Sequence, residues 1–249
     1  MEDVLELYAQ PYDLKQPVVC FDEKSVQLVA ETRIPRPVAP GQPTLYDYEY
    51  KRNGTANIFM LVEPLAGWRQ VTVTERRTMR DFAAQMKQLV DICYPEAERI
   101  RVVLDNLNTH KPASLYEAYT PEEARRILRR LEFHYTPKHA SWLDMAEIEI
   151  GVLSGQCLKR RIPDRATLSQ QTQAWTARRN REQSQIVWRF TVHDARTKLD
   201  HLYPVYSYPG LAHRASAGCS RRRWWCCSHW GGSERGPHGS ASSIRPAVR

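Results

Sequence analysis

The sequence predicts a mixed α/β layer fold, a central sheet with helices on both faces. Three observations carry this expectation. Alternating, β-rich segments fill the early part of the chain, from Val18 to Thr74. At Met79 the hydrophobic period changes from that of a strand to that of a helix. Beyond it, buried-type strands alternate with helical stretches.

Residues 1–15 read as a lead-in with one helical turn at Val4 to Tyr8. Val18 to Ala30 alternates as a strand, with Asp22 and Lys24 on the face shared by Val18 and Cys20. Four prolines and Gly41 make 33–43 a loop. Tyr46 to Tyr50 and Thr55 to Val62 are expected as two strands about a turn at Asn53-Gly54. Trp68 to Thr74 is a further strand. Thr78 is the expected N-cap of a helix through Met79, Phe82, Met86, Leu89, Val90 and Cys93, stopped by Pro95. Arg99 to Leu104 is a buried strand, expected beside the first. Helical pieces follow, one opened by Thr120-Pro121. Leu131 to Thr136 is a strand, and Ser141 to Arg161 one helix closed by Pro163. Residues 164–201 are helical in parts.

Charge and length narrow the function. The 249 residues carry a net charge of +8, but +6 of it lies in residues 205–249, with seven arginines against Glu234. Basicity therefore says little about the main body. There is no bilayer-length apolar run and no signal-peptide pattern at Met1-Glu2-Asp3-Val4, so a soluble intracellular protein is expected. Cys20, Cys93 and Cys157 read as buried thiols. Cys219, Cys226, Cys227, His213 and His229 lack the spacing of a zinc site.

The informative residues are acids in apolar frames. Asp22 ends Pro17-Val18-Val19-Cys20-Phe21, and Asp105 ends Ile100-Arg101-Val102-Val103-Leu104. Glu147 lies within Trp142-Leu143-Asp144-Met145-Ala146-Glu147-Ile148-Glu149-Ile150. Such carboxylates are costly unless a cation compensates them. Each has an ordinary alternative: Asp22 answering Lys24, Asp105 opening an Asx-turn, Glu147 on a solvated helix face. On a helical wheel Leu143, Ala146, Ile150, Leu153 and Cys157 form the apolar face. Asp144, Glu147, Gly151 and Ser154 flank it on one side, Glu149, Gln156 and Arg160 on the other. Periodicity does not choose between Glu147 and Glu149. Three converging carboxylates suit two-metal phosphoryl transfer, with His110 and Lys111 placed to meet a phosphate or the leaving oxygen.

At these residues the chain resembles a known family. Val19-Cys20-Phe21-Asp22-Glu23-Lys24-Ser25, Val102-Val103-Leu104-Asp105-Asn106 with His110, and Thr136-Pro137-Lys138-His139-Ala140-Ser141-Trp142-Leu143-Asp144-Met145-Ala146-Glu147 are similar to the three acidic motifs of bacterial insertion-sequence transposases. The branch is the mariner-related one of the DDE superfamily, whose catalytic domain is RNase H-like. The resemblance runs from about residue 1 to Pro204. It implies Asp22, Asp105 and Glu147 as the catalytic triad holding two Mg²⁺ or Mn²⁺ ions, with Asp144 a rival ligand. It also implies DNA cleavage at element ends, strand transfer to a target, usually at TA, and work in the bacterial cytoplasm at the nucleoid.

The expected organisation is a catalytic domain over 16–163, a helical extension over 164–204, and a disordered, frame-shifted tail over 205–249. A basic, aromatic DNA-binding arm is the alternative for that tail. Lys159, Arg160, Arg161, Arg178, Arg179 and Arg181 are the expected DNA-backbone contacts. The family's helix-turn-helix region has no counterpart ahead of Asp22. A separate upstream-frame helix-turn-helix partner is therefore expected, and a homodimer is a further expected partnership. The competing functions are an inactive remnant that binds DNA or a partner, and an RNase H-type nuclease.

Overall fold

The computed structural model describes residues 1–33, 48–138 and 140–203. Its sheet has five strands in the order β3-β2-β1-β4-β5: β1 Val18–Glu31, β2 Tyr50–Glu63, β3 Trp68–Thr74, β4 Ile100–Leu104 and β5 Leu131–Tyr135. The first three form an antiparallel meander, while β4 joins β1 in parallel and β5 joins β4 in parallel. This is the RNase H-like arrangement that the resemblance implied.

Among the described residues seven α-helices surround it: α1 Glu2–Tyr8, α2 Met79–Gln88, α3 Ala113–Ala118, α4 Pro121–Leu128, α5 Met145–Gln156, α6 Arg165–Arg181 and α7 Val192–Lys198. Strand alternation divides the apolar side chains between two cores. Cys20, Met60 and Val103 pack against α1 and α5 on one face. Val19, Phe21, Phe59, Val102 and Leu104 pack against α2, α3 and α4 on the other.

Several expectations need correcting. The Asn53-Gly54 turn is a β-bulge. Between successive register pairs β1 advances from Gln27 to Val29 while β2 runs from Thr55 to Arg52, so β2 carries one extra residue. Gly54 takes φ +87° there, and the strand continues because its partner does. The helix expected from Ser141 to Arg161 is broken. A 3-10 turn covers Ser141–Leu143, Asp144 is extended, and α5 ends at Gln156. Asp144 takes the N-cap because its side chain accepts the Ala146 N–H (2.8 Å), competing with helical continuation. The lead-in is structural, since Val4, Leu5 and Leu7 of α1 are buried in the first core.

Thr78 caps α2 as expected, within a capping box closed by Asp81. Met1–Lys198, which includes α6 and α7 from the expected extension, forms one compact unit. Of the second unit, Asp200–Leu202 form a 3-10 turn. The 205–249 tail, with its arginines and cysteines, lies outside the described residues. So do most of the 33–43 loop and Tyr46. No helix among the described residues is long and apolar enough to cross a membrane.

Candidate active site

The topology prepares one place for a site. Strands β1 and β4 pair from Val18–Arg101 to Cys20–Val103, and their parallel ladder ends there. Parallel strands leave a crevice at their carboxyl ends. Asp22 lies on β1 just past the last pair, and Asp105 follows the last residue of β4. Glu147 is in the first turn of α5, the helix packed on β1 and β2.

The three acids are electrostatic neighbours. Burial, reinforced by the charges of Glu23, Asp105 and Glu147, pushes the Asp22 carboxyl up to about 7, although the Glu23 N–H bond (2.8 Å) favours the anion. Asp144 feels the same group. Burial first, then the charge of Asp22, hold it well above the usual carboxylate range. It is 3% exposed, and its Oδ2 has no hydrogen-bond partner. The Tyr8 O–H donates to the Leu143 carbonyl (2.7 Å), pinning the turn that delivers Asp144.

His110 is not where the sequence suggested. It was expected to meet a phosphate, but it is 1% exposed and packed edge-on to Phe21, with ring centroids 5.1 Å apart. Its Nδ1 lies 2.5 Å from Asp105 Oδ1 and its Nε2 lies 2.8 Å from Glu23 Oε2. The second is an ion-pair contact without hydrogen-bond alignment. Burial works against the imidazolium, but the two acids more than offset it and raise the pKa to about 9. His110 therefore orients Asp105 from behind. Glu23, which sequence reasoning passed over, anchors it. The available signal was an acid on the strand face of Val19 and Phe21, where burial demands a cation.

The structure separates Glu147 from Glu149. Glu147 is exposed. Glu149 is buried in an ion cluster: Arg69 Nε lies 2.9 Å from its Oε1, and Arg179 reaches both oxygens at 3.0 and 3.1 Å. Arg179, expected on the DNA-facing surface, is turned inward by this pairing and lies over the Trp175 ring. Arg161 is tied to Glu31 and to the Glu49 carbonyl. Arg178 donates to Gln156 Oε1 (3.0 Å) but stays exposed, as do Lys159, Arg160 and Arg181. Lys111 is exposed, its Nζ 3.2 Å from Asn108 Oδ1.

The donors offered by Asp22, Asp105, Glu147 and the unpartnered Asp144 Oδ2 are all carboxylate oxygens. That set fits a hard divalent cation such as Mg²⁺ or Mn²⁺. Among the described residues, no three ligating side chains close around one point at metal-ligand spacing. The acids share a field without forming a closed cage.

Comparison with known proteins follows the same line. The model of the family described as DDE superfamily endonuclease matches residues 17–169. No curated protein matches significantly in sequence. Among solved structures, the Mos1 mariner paired-end complex with Mn is 19% identical, covers 73% of this chain and 54% of its own, and has a TM-score of 0.48. The Mos1 strand transfer complex is 16% identical, with coverages of 73% and 55% and a TM-score of 0.47. The chain thus spans about half the length of these structures. Because the family model covers well over half of the sequence and includes all three acids, the protein belongs to the DDE superfamily of endonucleases.

Proposed function

We propose that this chain is the catalytic domain of a mariner-related transposase that cuts DNA at element ends and joins the freed end to target DNA. The observation that carries this reading is the convergence of the Asp22, Asp105 and Glu147 charges at the carboxyl ends of parallel strands β1 and β4. These three side chains would hold the divalent ions, two in this reading, with Asp144 behind them. Bound Mg²⁺ or Mn²⁺ would supply positive charge to the attacking and departing oxygens of an in-line displacement.

The chain's own residues set the geometry. His110, backed by Glu23, fixes the Asp105 carboxylate. The Asp144 cap starts α5 so that Glu147 falls in its first turn at an exposed position. In hydrolysis, a water oxygen bonds to phosphorus and the P–O3′ bond breaks to leave a 3′-hydroxyl. That hydroxyl then attacks a target phosphate and releases another 3′-oxygen. Lys111, Lys159, Arg160, Arg178 and Arg181 are exposed cations available to the DNA backbone. The further elements of this reading are a TA-containing target, a helix-turn-helix partner, a homodimeric assembly and work at a bacterial nucleoid in the cytoplasm.

The test is Mn²⁺-dependent nicking of supercoiled plasmid. Asp105→Asn should abolish nicking while its far-UV circular dichroism stays that of the wild type. Nicking that survives this change would refute the assignment. Faster cleavage of an RNA–DNA hybrid than of duplex DNA would favour the RNase H-type alternative.

A further inference from the structure

Lys24 is two residues beyond Asp22 on β1, so both side chains leave the same face of the strand. The simplest pairing for Lys24 is Asp22, and it does not form. The Lys24 ammonium donates instead to Ser154 Oγ on α5 (2.7 Å), whose hydroxyl is committed to the Ile150 carbonyl (2.7 Å). Among the described residues no carboxylate pairs with Lys24. A partly buried ammonium with three donors thus has one neutral protein acceptor, beside a group of acids that would attract it.

The neighbouring surface is open. Glu147, Gly151 and Ser154 follow one another along α5 on a single side. Gly151 is exposed, and a Cβ built there meets nothing within 4 Å. The strip from Glu147 to Lys24 is therefore a bare floor with acids at one end and a cation at the other. Two strand residues span roughly 6.6 Å, comparable to the through-space separation of neighbouring phosphates on one DNA strand. A strand with one phosphate at the acids carries another within reach of Lys24.

We infer that Lys24, seated on Ser154, is a DNA-phosphate contact one or two nucleotides from the phosphate at Asp22, Asp105 and Glu147. Gly151 keeps the floor between them clear. The inference rests on the transposase reading for what lies at the acids. A purely structural lysine, offsetting the acids, would affect stability and leave DNA binding unchanged.

The experiment uses the full chain. Equilibrium binding to a duplex oligonucleotide is measured without divalent metal across a salt series, alongside Mn²⁺-dependent plasmid nicking. Lys24→Gln should lower the slope of log K against log salt by about one and weaken binding roughly five- to tenfold near 0.1 M salt. KM should rise by a similar factor with kcat nearly unchanged, and Lys24→Arg should restore both. Gly151→Glu, on an exposed helix position, should fold and also weaken binding. Lys15→Gln is the charge-matched control, because Lys15 is exposed and already paired with Glu98 at 2.8 Å; it should behave as wild type. A wild-type slope and KM in Lys24→Gln overturn the inference, as does unaltered binding by Gly151→Glu. A Lys24-dependent slope with no nicking by the wild type sinks the transposase reading and leaves the phosphate contact standing. Failure of the wild type to bind DNA overturns both.

Discussion

Glu149 gives the sharpest stability prediction. It is 1% exposed and Arg69, its partner on β3, is 1% exposed. Arg69 also donates to the Gly67 carbonyl (3.0 Å) and the Ser184 carbonyl (2.5 Å), so it is held in place whatever Glu149 does. Burial lowers the Arg69 pKa, and the Glu149 charge acts in the opposite direction. Glu149→Ala would strand this guanidinium without its counter-ion. Breaking a buried pair from one side costs about 3–5 kcal/mol. The second cation, Arg179, is less buried and can recover some water, so the lower half of that range is expected. For a domain of this size 1 kcal/mol moves Tm by roughly 2–4 °C, so the fall should be on the order of 6–16 °C. Urea denaturation followed by tryptophan fluorescence would measure it. Replacing all three charges together with apolar residues of similar volume should cost much less, because no ion is left alone. A loss below about 1 kcal/mol for Glu149→Ala, or a triple variant worse than the single one, would refute the reasoning.

Three further outcomes follow from the structure. Burial raises the Asp22 carboxyl from 3.8 to about 7, so the native state keeps a proton that the unfolded chain loses. Metal-free stability should then fall as pH rises across that window, and Asp22→Asn should flatten it. His110, raised from 6.5 to about 9 by Asp105 and Glu23 against the cost of burial, contributes fully below the lower value. Its contribution should disappear as pH rises through the upper one, and His110→Gln should remove that second decline. Melting curves from pH 4 to 9.5 would show both, and stability rising across the lower window would be wrong for Asp22. Gly67 has φ +66°, and a Cβ on it would lie 2.6 Å from the Gln183 carbonyl carbon and oxygen. Gly67→Ala should therefore cost about 1–3 kcal/mol, whereas Gly151→Ala should stabilise α5 by up to about 1 kcal/mol. Equal denaturation midpoints for the two variants would contradict this.

Residues whose role depends on their own element could be read from sequence. Asp22 and Asp105 each follow an apolar run, Asp22 within β1 and Asp105 just after β4, and strand alternation with a parallel partner was enough to expect them side by side. Thr78 and Thr120 were legible as caps for the same reason. Residues whose role depends on distant partners were not. Glu147 and Glu149 are equivalent on a helical wheel. Only Arg69 on β3 and Arg179 on α6 show which one is buried. His110 reads as a loop histidine until Phe21 and Phe82 cover it. Asn53-Gly54 has the local chemistry of a hairpin turn, but pairing with the long β1 strand overrides it. Asp144 was visible as an acid near Glu147. That its own side chain breaks the helix was a local signal, masked by the continuous apolar pattern from Leu143 to Leu153.

The parallel ladder between β1 and β4 also orders events in time. The meander of β1, β2 and β3 can form early from near neighbours in the chain, and at that stage it carries Asp22 alone. Asp105 arrives only when β4 docks after the intervening helix, and Glu147 only when α5 folds back over the sheet. Loop-closure entropy disfavours early formation of contacts this distant in sequence. On the proposed reading, a chain still emerging from the ribosome would hold one acid of the three and would not cut. Competence to break DNA would appear only when the sheet and α5 are complete.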